Sequence, residues 1–428
     1  MKQHENLDVV IHLSATAVYA VVACVISKDD IQVRGMVKVN TNEFYQGRVV
    51  HSERLKKIIN QAIYAVETMA NCRAHSIWLS FATPEMKSSN SHGKVVIDEE
   101  TVSVKHIVEA LGKAKEQDIA NDHYVMQYAQ QGILIDDDDM MVNDAIGTYA
   151  DGINVMYHLL SLPVVTRQNM ESLFRSTNVR VDHMVFDMVS MSAYALMPEE
   201  MKLGVCLLDI GYSTTNLCVY KEEKLLFAKC LPYGAVEVTM DISAELNLSM
   251  YEAERLKKRH GTVDTTQVDP AQFIEIKSNE DEDVKTISLH ELALIIEARY
   301  QSILDQVLMA LEQVGLIEHL TRGFVLAGGG SQMNGMVSFA KRYLQTPVVH
   351  TTLNKSITPE KRFDNEDNYA QLKSLIKERG FQVALGTLIY SQSEQFAHSQ
   401  RSSLEALKQE QKEHGLMSRL GRFLHDFL

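Results

Sequence analysis

Positive charge is scarce in this chain, and so are cysteine and long apolar runs. Forty-two lysines and arginines stand against 56 aspartates and glutamates, a formal net charge of −14. A general nucleic-acid binder needs a basic face, so that class is set aside. The five cysteines, Cys24, Cys72, Cys206, Cys218 and Cys230, are odd in number and form no C-x-x-C pair. That argues against a disulfide framework or a cysteine-based zinc site and points to a reducing cytoplasm. No window approaches the ~20 apolar residues that span a bilayer, so any membrane contact is expected to be peripheral. The opening MKQHENLD has no basic start before an apolar core, and no signal peptide is expected.

What is present is an ordinary globular composition over 428 residues, enough for two or more domains. Val9–Leu13, Val18–Ile26 and Ile31–Val39 read as strands, the last two joined through Lys28-Asp29-Asp30. A helix opening at Ser52 follows, with Leu55, Ile58, Ile59, Ala62, Ile63, Val66 and Met69 on one face, then a strand over Ser76–Ala82. The same order recurs later as Val205–Ile210, Thr215–Tyr220, Lys224–Cys230 and a helix over Ala235–Leu246. A repeated βββα order predicts duplicated α/β halves facing each other across a cleft.

Two stretches interrupt the duplication. Residues 83–162 separate the first half from its continuation and carry the run Asp136-Asp137-Asp138-Asp139, read as a solvated loop rather than a metal site. Residues 248–298 hold a helical block, MYEAERLKKRHG, and then KSNEDEDVKT, read as a surface hairpin tip. Residues 392–413 are polar, without periodic apolar content, and read as a linker.

The stretch LLDIGYSTTNLCVY sets Asp209 at the end of a buried strand, followed by Gly211, Ser213 and Thr214. A plain hairpin would explain the turn. The later stretch GFVLAGGGSQMNGM runs a strand into Gly328-Gly329-Gly330 and then toward a helix expected to begin near Gln332 or Met333. Alone, that too is a tight turn. Together the two loops suit a nucleotide, because glycine lets backbone N–H groups approach phosphates and a helix N-terminus favours anions. A nearby carboxylate would hold Mg²⁺ through water.

LLDIGYSTTNL paired with FVLAGGGSQMNGM resembles the second phosphate loop and the adenosine loop of the actin, Hsp70 and sugar-kinase superfold. The chain is similar, more closely still, to the bacterial cell-division family FtsA, through DIQVRGM, VETMANCRAHSIWLS, EEMKLGVCLLDIG, YEAERLKKRHG and ARYQSIL. The resemblance implies an actin/Hsp70-like duplicated two-domain α/β fold with a nucleotide cleft. Its parts would be subdomain 1A (1–82 and 163–200), an inserted subdomain 1C (83–162), 2A (201–242 and 299–391) and 2B (243–298). It implies ATP or ADP with Mg as cofactor. Asp209 would be the Mg²⁺-side carboxylate, Gly211, Ser213 and Thr214 would line the phosphates, and Gly328, Gly329 and Gly330 would lie beside the adenosine. Glu254 and Lys257 match an A-E-x-x-K signature that contacts ribose and base; read by themselves they are an exposed helix pair.

The first phosphate loop departs from the family pattern. In IHLSATAVYA, His12 stands where an acid is expected, Ser14 where a glycine is, and Ala15 where a threonine is. Ser14 and Thr16 keep hydroxyls to offer, so nucleotide binding is expected in weakened form, with slow ATP turnover at most. A small-molecule kinase of the same superfold would need a general base in this region, and no Asp or Glu is seen there. A type IV pilus adaptor of the PilM kind is the other relative weighed; it ordinarily lacks a terminal amphipathic helix.

That helix is readable without any family. GLMSRLGRFLHDFL, residues 415–428, sets Leu416, Met417, Leu420, Phe423, Leu424, Phe427 and Leu428 in one stripe, with Arg419 and Arg422 among the polar positions opposite. The stretch is too short to span a bilayer and suits an interface with anionic lipid, tethered through the polar linker. The resemblance adds partners: the C-terminal tail of the tubulin-like FtsZ on subdomain 2B, near Arg299, Arg259 and Lys258, other division proteins, and further copies of the chain in filaments. It implies a location on the cytoplasmic face of the inner membrane at the division site.

Overall fold

The structure, a computed structural model, describes residues 7–27, 29–136, 138, 140–277, 284–352, 356–360, 366–393 and 396. Of the residues from 392 on, only Gln392, Ser393 and Phe396 are described; the rest of the expected linker and the amphipathic helix at 414–428 lie outside. The described residues divide into two units, one within Met1–Met86 and Val165–Ile389, the other within Lys87–Val164 and Tyr390–Leu428.

In chain order, the first unit begins with β1 (Leu7–Leu13), β2 (Ala17–Ser27), β3 (Asp30–Asn40), α1 (Ser52–Ala70) and β4 (Ser76–Phe81). The second unit is inserted next: β5 (Lys87–Thr101), α2 (Val104–Asp118), β6 (His123–Ile135) and β7 (Tyr149–Pro163). After a helix over Val164–Phe174, the first unit continues with β8 (Arg180–Phe186), α3 (Asp187–Ala195), β9 (Val205–Ile210), β10 (Thr215–Lys221) and β11 (Lys224–Leu231). After these come α4 (Ala235–Glu245), α5 (Met250–His260), β12 (Phe273–Lys277), β13 (Val284–Ser288), α6 (Leu289–Glu312), β14 (Gly323–Ala327), α7 (Met336–Leu344), β15 (Val348–His350) and β16 (Ile357–Pro359).

Two mixed sheets organise the first unit, with strand orders β8-β4-β1-β2-β3-β16 and β11-β10-β9-β14-β15. Their central strands are covered on both faces, which is why β1, β2 and β9 read as near-continuous apolar runs rather than alternating ones. Helix α1 buries Leu55, Ile59, Ala62, Ile63 and Val66, the face its periodicity predicts. Asn71 stops it in the left-handed conformation, at φ 50°. Ser249 caps α5, its hydroxyl accepting from the Glu252 N–H while the Glu252 carboxylate takes the Ser249 N–H. Under the second sheet, Leu208, Ile210, Leu217 and Leu326 meet Val238, Leu256, Ile296, Tyr300 and Leu304 from the helices.

The inserted unit has its own core. Its antiparallel sheet, in the order β5-β7-β6, packs Val95, Ile153 and Val155 against Ile107, Ala110, Leu111 and Ala114 of α2. Tyr157 donates to the Ile107 carbonyl at 3.0 Å, joining sheet to helix. At the acidic run, Asp136 takes a positive φ of 51° and its Oδ1 accepts from the Asp151 and Gly152 N–H groups. Asp136 and Asp138 are exposed, and among the described residues no three His, Cys, Asp or Glu side chains group to hold a metal ion.

One helix starts later than its sequence suggests. After Gly328 the chain winds a single 3₁₀ turn over Gly330–Gln332, and α7 begins only at Met336. Asn334 is drawn aside into a bridge with Thr262, and Gly335, at φ 80°, resets the backbone before the helix can form. The expected helix N-terminus at Gln332 or Met333 is therefore absent. β12 and β13 pair antiparallel, and residues 278–283, within the stretch expected to form a hairpin tip, lie outside the described residues.

Candidate functional site

β1 and β9 hold equivalent places in the two sheets. Each pairs antiparallel with the strand that follows it (β2, β10) and parallel with a later one (β4, β14). His12 lies opposite Tyr19 and beside Ser80; Asp209 lies opposite Asn216 and beside Ala327. Each is the penultimate residue of its strand, where the chain turns into a loop. The sequence duplication thus sets an imidazole and a carboxylate in matching positions on the same cavity.

That cavity, about 610 Å³, is lined by all eleven residues expected at a nucleotide: Ser14, Thr16, Asp209, Gly211, Ser213, Thr214, Glu254, Lys257, Gly328, Gly329 and Gly330. Its volume is that of a typical small-molecule site. The glycine loop owes its course to two different constraints. A Cβ on Gly328, at φ 81°, would lie 1.9 Å from Asp209 Oδ1, so only glycine lets the loop rest against that carboxylate. Gly329 has an ordinary φ of −69°, and a Cβ there would meet nothing within 4 Å. Buried Tyr300 donates to the Gly330 carbonyl at 2.7 Å and fixes the loop from below.

The hydroxyls are partly engaged already. Ser14 Oγ accepts from the Thr16 and Ala17 N–H groups and donates to the Ala17 carbonyl, so it shapes its own turn. Thr16 is exposed at the loop tip. Buried Ser213 accepts from the Gln46 N–H at 3.0 Å, tying the second-half loop to a turn of the first half.

Glu254 and Lys257 are not an exposed pair. Lys257 is buried, and its Nζ reaches Glu254 Oε2 at 2.7 Å, the Ala235 carbonyl at 2.9 Å and Thr239 Oγ1 at 2.6 Å. An ammonium has three protons, so Lys257 has none left for a ribose. Burial alone would raise the Glu254 pKa, but hydrogen bonds from Lys257, Thr239 and Lys258 outweigh it and hold the carboxyl at about 2. The face of α5 offered to the cavity is therefore the Glu254–Lys258 edge, with the two side chains 2.9 Å apart.

Sequence reasoning missed Asp187. It is the first residue of α3, buried, and its Oδ1 lies 3.2 Å from His12 Nδ1. This is the carboxylate that the first loop lacks, delivered from a distant segment. Its one sequence signal is the pattern also seen at Asp209, an apolar strand ending on an aspartate (HMVFD). Burial pushes the His12 pKa down, but the charges of Asp187 and Asp209 and the backbone of Ser80 more than reverse this, leaving it raised. Burial, then the charge of Asp187, lifts Asp209 to about 6 against the opposing pull of His12 and Asn216. Arg379, from a 3₁₀ turn over Arg379–Phe381, also lines the cavity and carried no motif.

These residues fit a nucleotide better than they fit Mg²⁺. A hard divalent cation wants several oxygen donors around open space. Here the imidazole of His12 stands beside Asp187, and Asp209 Oδ1 is buried against Gly328, without a hydrogen-bond partner among the described residues.

Of the residues assigned to the FtsZ tail, Arg299 on α6 is bound in two-pronged fashion to Asp241 of α4, with Nη2 to Oδ1 at 2.8 Å. Lys258 belongs to the cavity rim, and Arg259 is exposed. The membrane-binding residues Leu416, Met417, Arg419, Leu420, Arg422, Phe423, Leu424, Phe427 and Leu428 lie outside the described residues.

Comparison with known proteins agrees with this geometry. The family model described as "Cell division protein FtsA" matches residues 206–372. FtsA of Pseudomonas aeruginosa is 28% identical over 347 residues, covering 81% of this chain and 83% of the relative. FtsA of Escherichia coli K12 is 27% identical over 350 residues, covering 80% and 83%. Among solved structures, the PilM-PilN type IV pilus biogenesis complex superposes with a TM-score of 0.61 at 15% identity, over 91% of this chain and 99% of that one. MreB5 of Spiroplasma citri bound to ADP gives 0.54 at 12% identity, over 94% and 98%. These structures share the actin-like fold. Fold, family model and relatives converge: the chain has the actin-like fold and is similar over most of its length to FtsA cell-division proteins.

Proposed function

We propose that this protein binds ATP or ADP in the cleft and tethers FtsZ to the cytoplasmic face of the inner membrane at the division site. The observation that carries the nucleotide reading is the single cavity lined by both loops, with Gly329 leaving open space toward it. That MreB5, of the same fold, was solved with ADP and with AMPPNP supports it. Turnover is slow or absent, because the carboxylate nearest the first loop, Asp187, is held by His12 and is not free to act as a base. The terminal stripe of Leu416–Leu428 supplies the membrane contact, the α4–α6 region around Arg299 the FtsZ-tail contact, and the inserted unit the contacts between copies in filaments. Further division proteins would assemble on this platform.

Titration of labelled ATP against the wild type and Gly329→Asp tests the cleft. The new side chain enters open space at an ordinary φ, so the fold is kept while a carboxylate meets the phosphates. Binding is expected to weaken about tenfold or more, the effect of ~1.4 kcal/mol of repulsion. Equal binding by both proteins would place the nucleotide elsewhere.

A further inference from the structure

The electrostatics of the cavity floor carry a consequence for how nucleotide is held, one that rests on the nucleotide reading above. Two buried or half-buried carboxylates, Asp187 and Asp209, face a cavity meant for a polyphosphate. Like charges so placed repel the ligand strongly in a poorly solvated site. Something positive must stand between them. A divalent cation is the usual answer, yet the donor set does not fit one, and the position is already taken by a side chain.

His12 Nδ1 is 3.2 Å from Asp187 Oδ1, an ion-pair separation, and the charge of Asp209 acts on the same ring. An imidazole beside carboxylates in a buried site is favoured as its cation. Tyr19 stacks on this ring at 5.7 Å between centroids. Phe381 meets Tyr19 edge-on at 5.0 Å, and Gly380 is so close that a Cβ would lie 2.3 Å from the Tyr19 hydroxyl. The 3₁₀ turn carrying Arg379 is thus packed onto the first loop through Tyr19. Arg379 lines the cavity, and the one hydrogen bond its guanidinium makes among the described residues is to Thr351 Oγ1 at 3.3 Å. Lys257 and Lys258 are held by Glu254, so Arg379 is the cavity-lining guanidinium left for a phosphate.

We propose that this cleft takes its nucleotide without a divalent cation, Arg379 meeting the phosphates and His12 neutralising the carboxylates behind them. Binding of fluorescently labelled ATP to the full chain, measured in excess EDTA and again in excess MgCl₂, tests this. The expected affinities agree within about threefold, and Arg379→Gln weakens both by about tenfold, the loss of one charge-assisted hydrogen bond. Arg379→Lys should recover part of that loss, and thermal unfolding should show each variant folded. In His12→Asn the comparison turns metal-sensitive, about tenfold weaker in EDTA than in MgCl₂. Wild-type binding lost in EDTA overturns the proposal while leaving the nucleotide reading intact. Unchanged binding by Arg379→Gln, or indifference of His12→Asn to EDTA, also overturns it. Binding in neither buffer overturns the nucleotide reading and the proposal together.

Discussion

His12 Nδ1 and Asp187 Oδ1 lie 3.2 Å apart on side chains only 7% and 8% exposed, joining the first loop to the start of α3. Removing one partner strands the other as a buried, unpaired polar group, at a cost of about 3 kcal/mol. Asp187→Leu alone should therefore lower stability by roughly that amount. His12→Leu with Asp187→Leu should be nearer the wild type than Asp187→Leu is, because two apolar groups replace two polar ones. Urea unfolding of the wild type, of His12→Leu and Asp187→Leu singly, and of the double variant decides the matter. A double variant as unstable as the sum of its singles would mean that packing, not charge, is what matters there.

The strands of both halves were legible because buried strands must be apolar, and 207–210 and 324–327 announce themselves. The glycine loop was legible because few other sequences allow such close approach. The partnership of His12 with Asp187 was not, since nothing local in HMVFDMVS says which strand end it will face. Spacing placed Glu254 and Lys257 on one face of α5 but could not say that Thr239 and the Ala235 carbonyl would bury the lysine. The late start of α7 depended on Asn334 pairing with Thr262, a tertiary contact invisible in GGGSQMNGM.

His158 makes the inserted unit sensitive to acid. Its Nδ1 reaches Asn90 Oδ1 at 2.6 Å and its Nε2 reaches Ser88 Oγ at 2.9 Å, an arrangement that suits the neutral ring donating to Asn90 and accepting from Ser88. Burial lowers its pKa from 6.5 to about 4. The unfolded chain then binds the extra proton between those values, so the stabilisation is complete above pH 6.5 and falls away as pH drops toward 4. The loss amounts to something on the order of 3 kcal/mol. Amide exchange in β5–β7, corrected for intrinsic rates, should show opening free energies falling over that window in the wild type and much less in His158→Asn. A flat wild-type profile would mean the imidazole charges without cost.

Arg299 cannot be reversed without consequence for the fold. Arg299→Glu sets a carboxylate against Asp241, replacing a two-pronged pair by a repulsion of about 1 kcal/mol at this partly exposed site. Exchanging the two, Asp241→Arg with Arg299→Glu, should restore stability in thermal unfolding while still failing to bind an FtsZ-tail peptide. If the exchanged protein binds the peptide as the wild type does, Arg299 serves only to hold α6 to α4.

The central claim is that this chain couples FtsZ to a membrane, and co-sedimentation with anionic liposomes tests it most directly. FtsZ mixed with the full-length protein and liposomes should pellet with them. FtsZ lacking its C-terminal tail should stay in solution while this protein still pellets. The protein without Gly415–Leu428 should leave both in solution, because the apolar stripe from Leu416 to Leu428 and its two arginines are gone. The contrary result is equally plain: FtsZ pelleting with the truncated protein, or remaining in solution with the full-length one, would contradict the account.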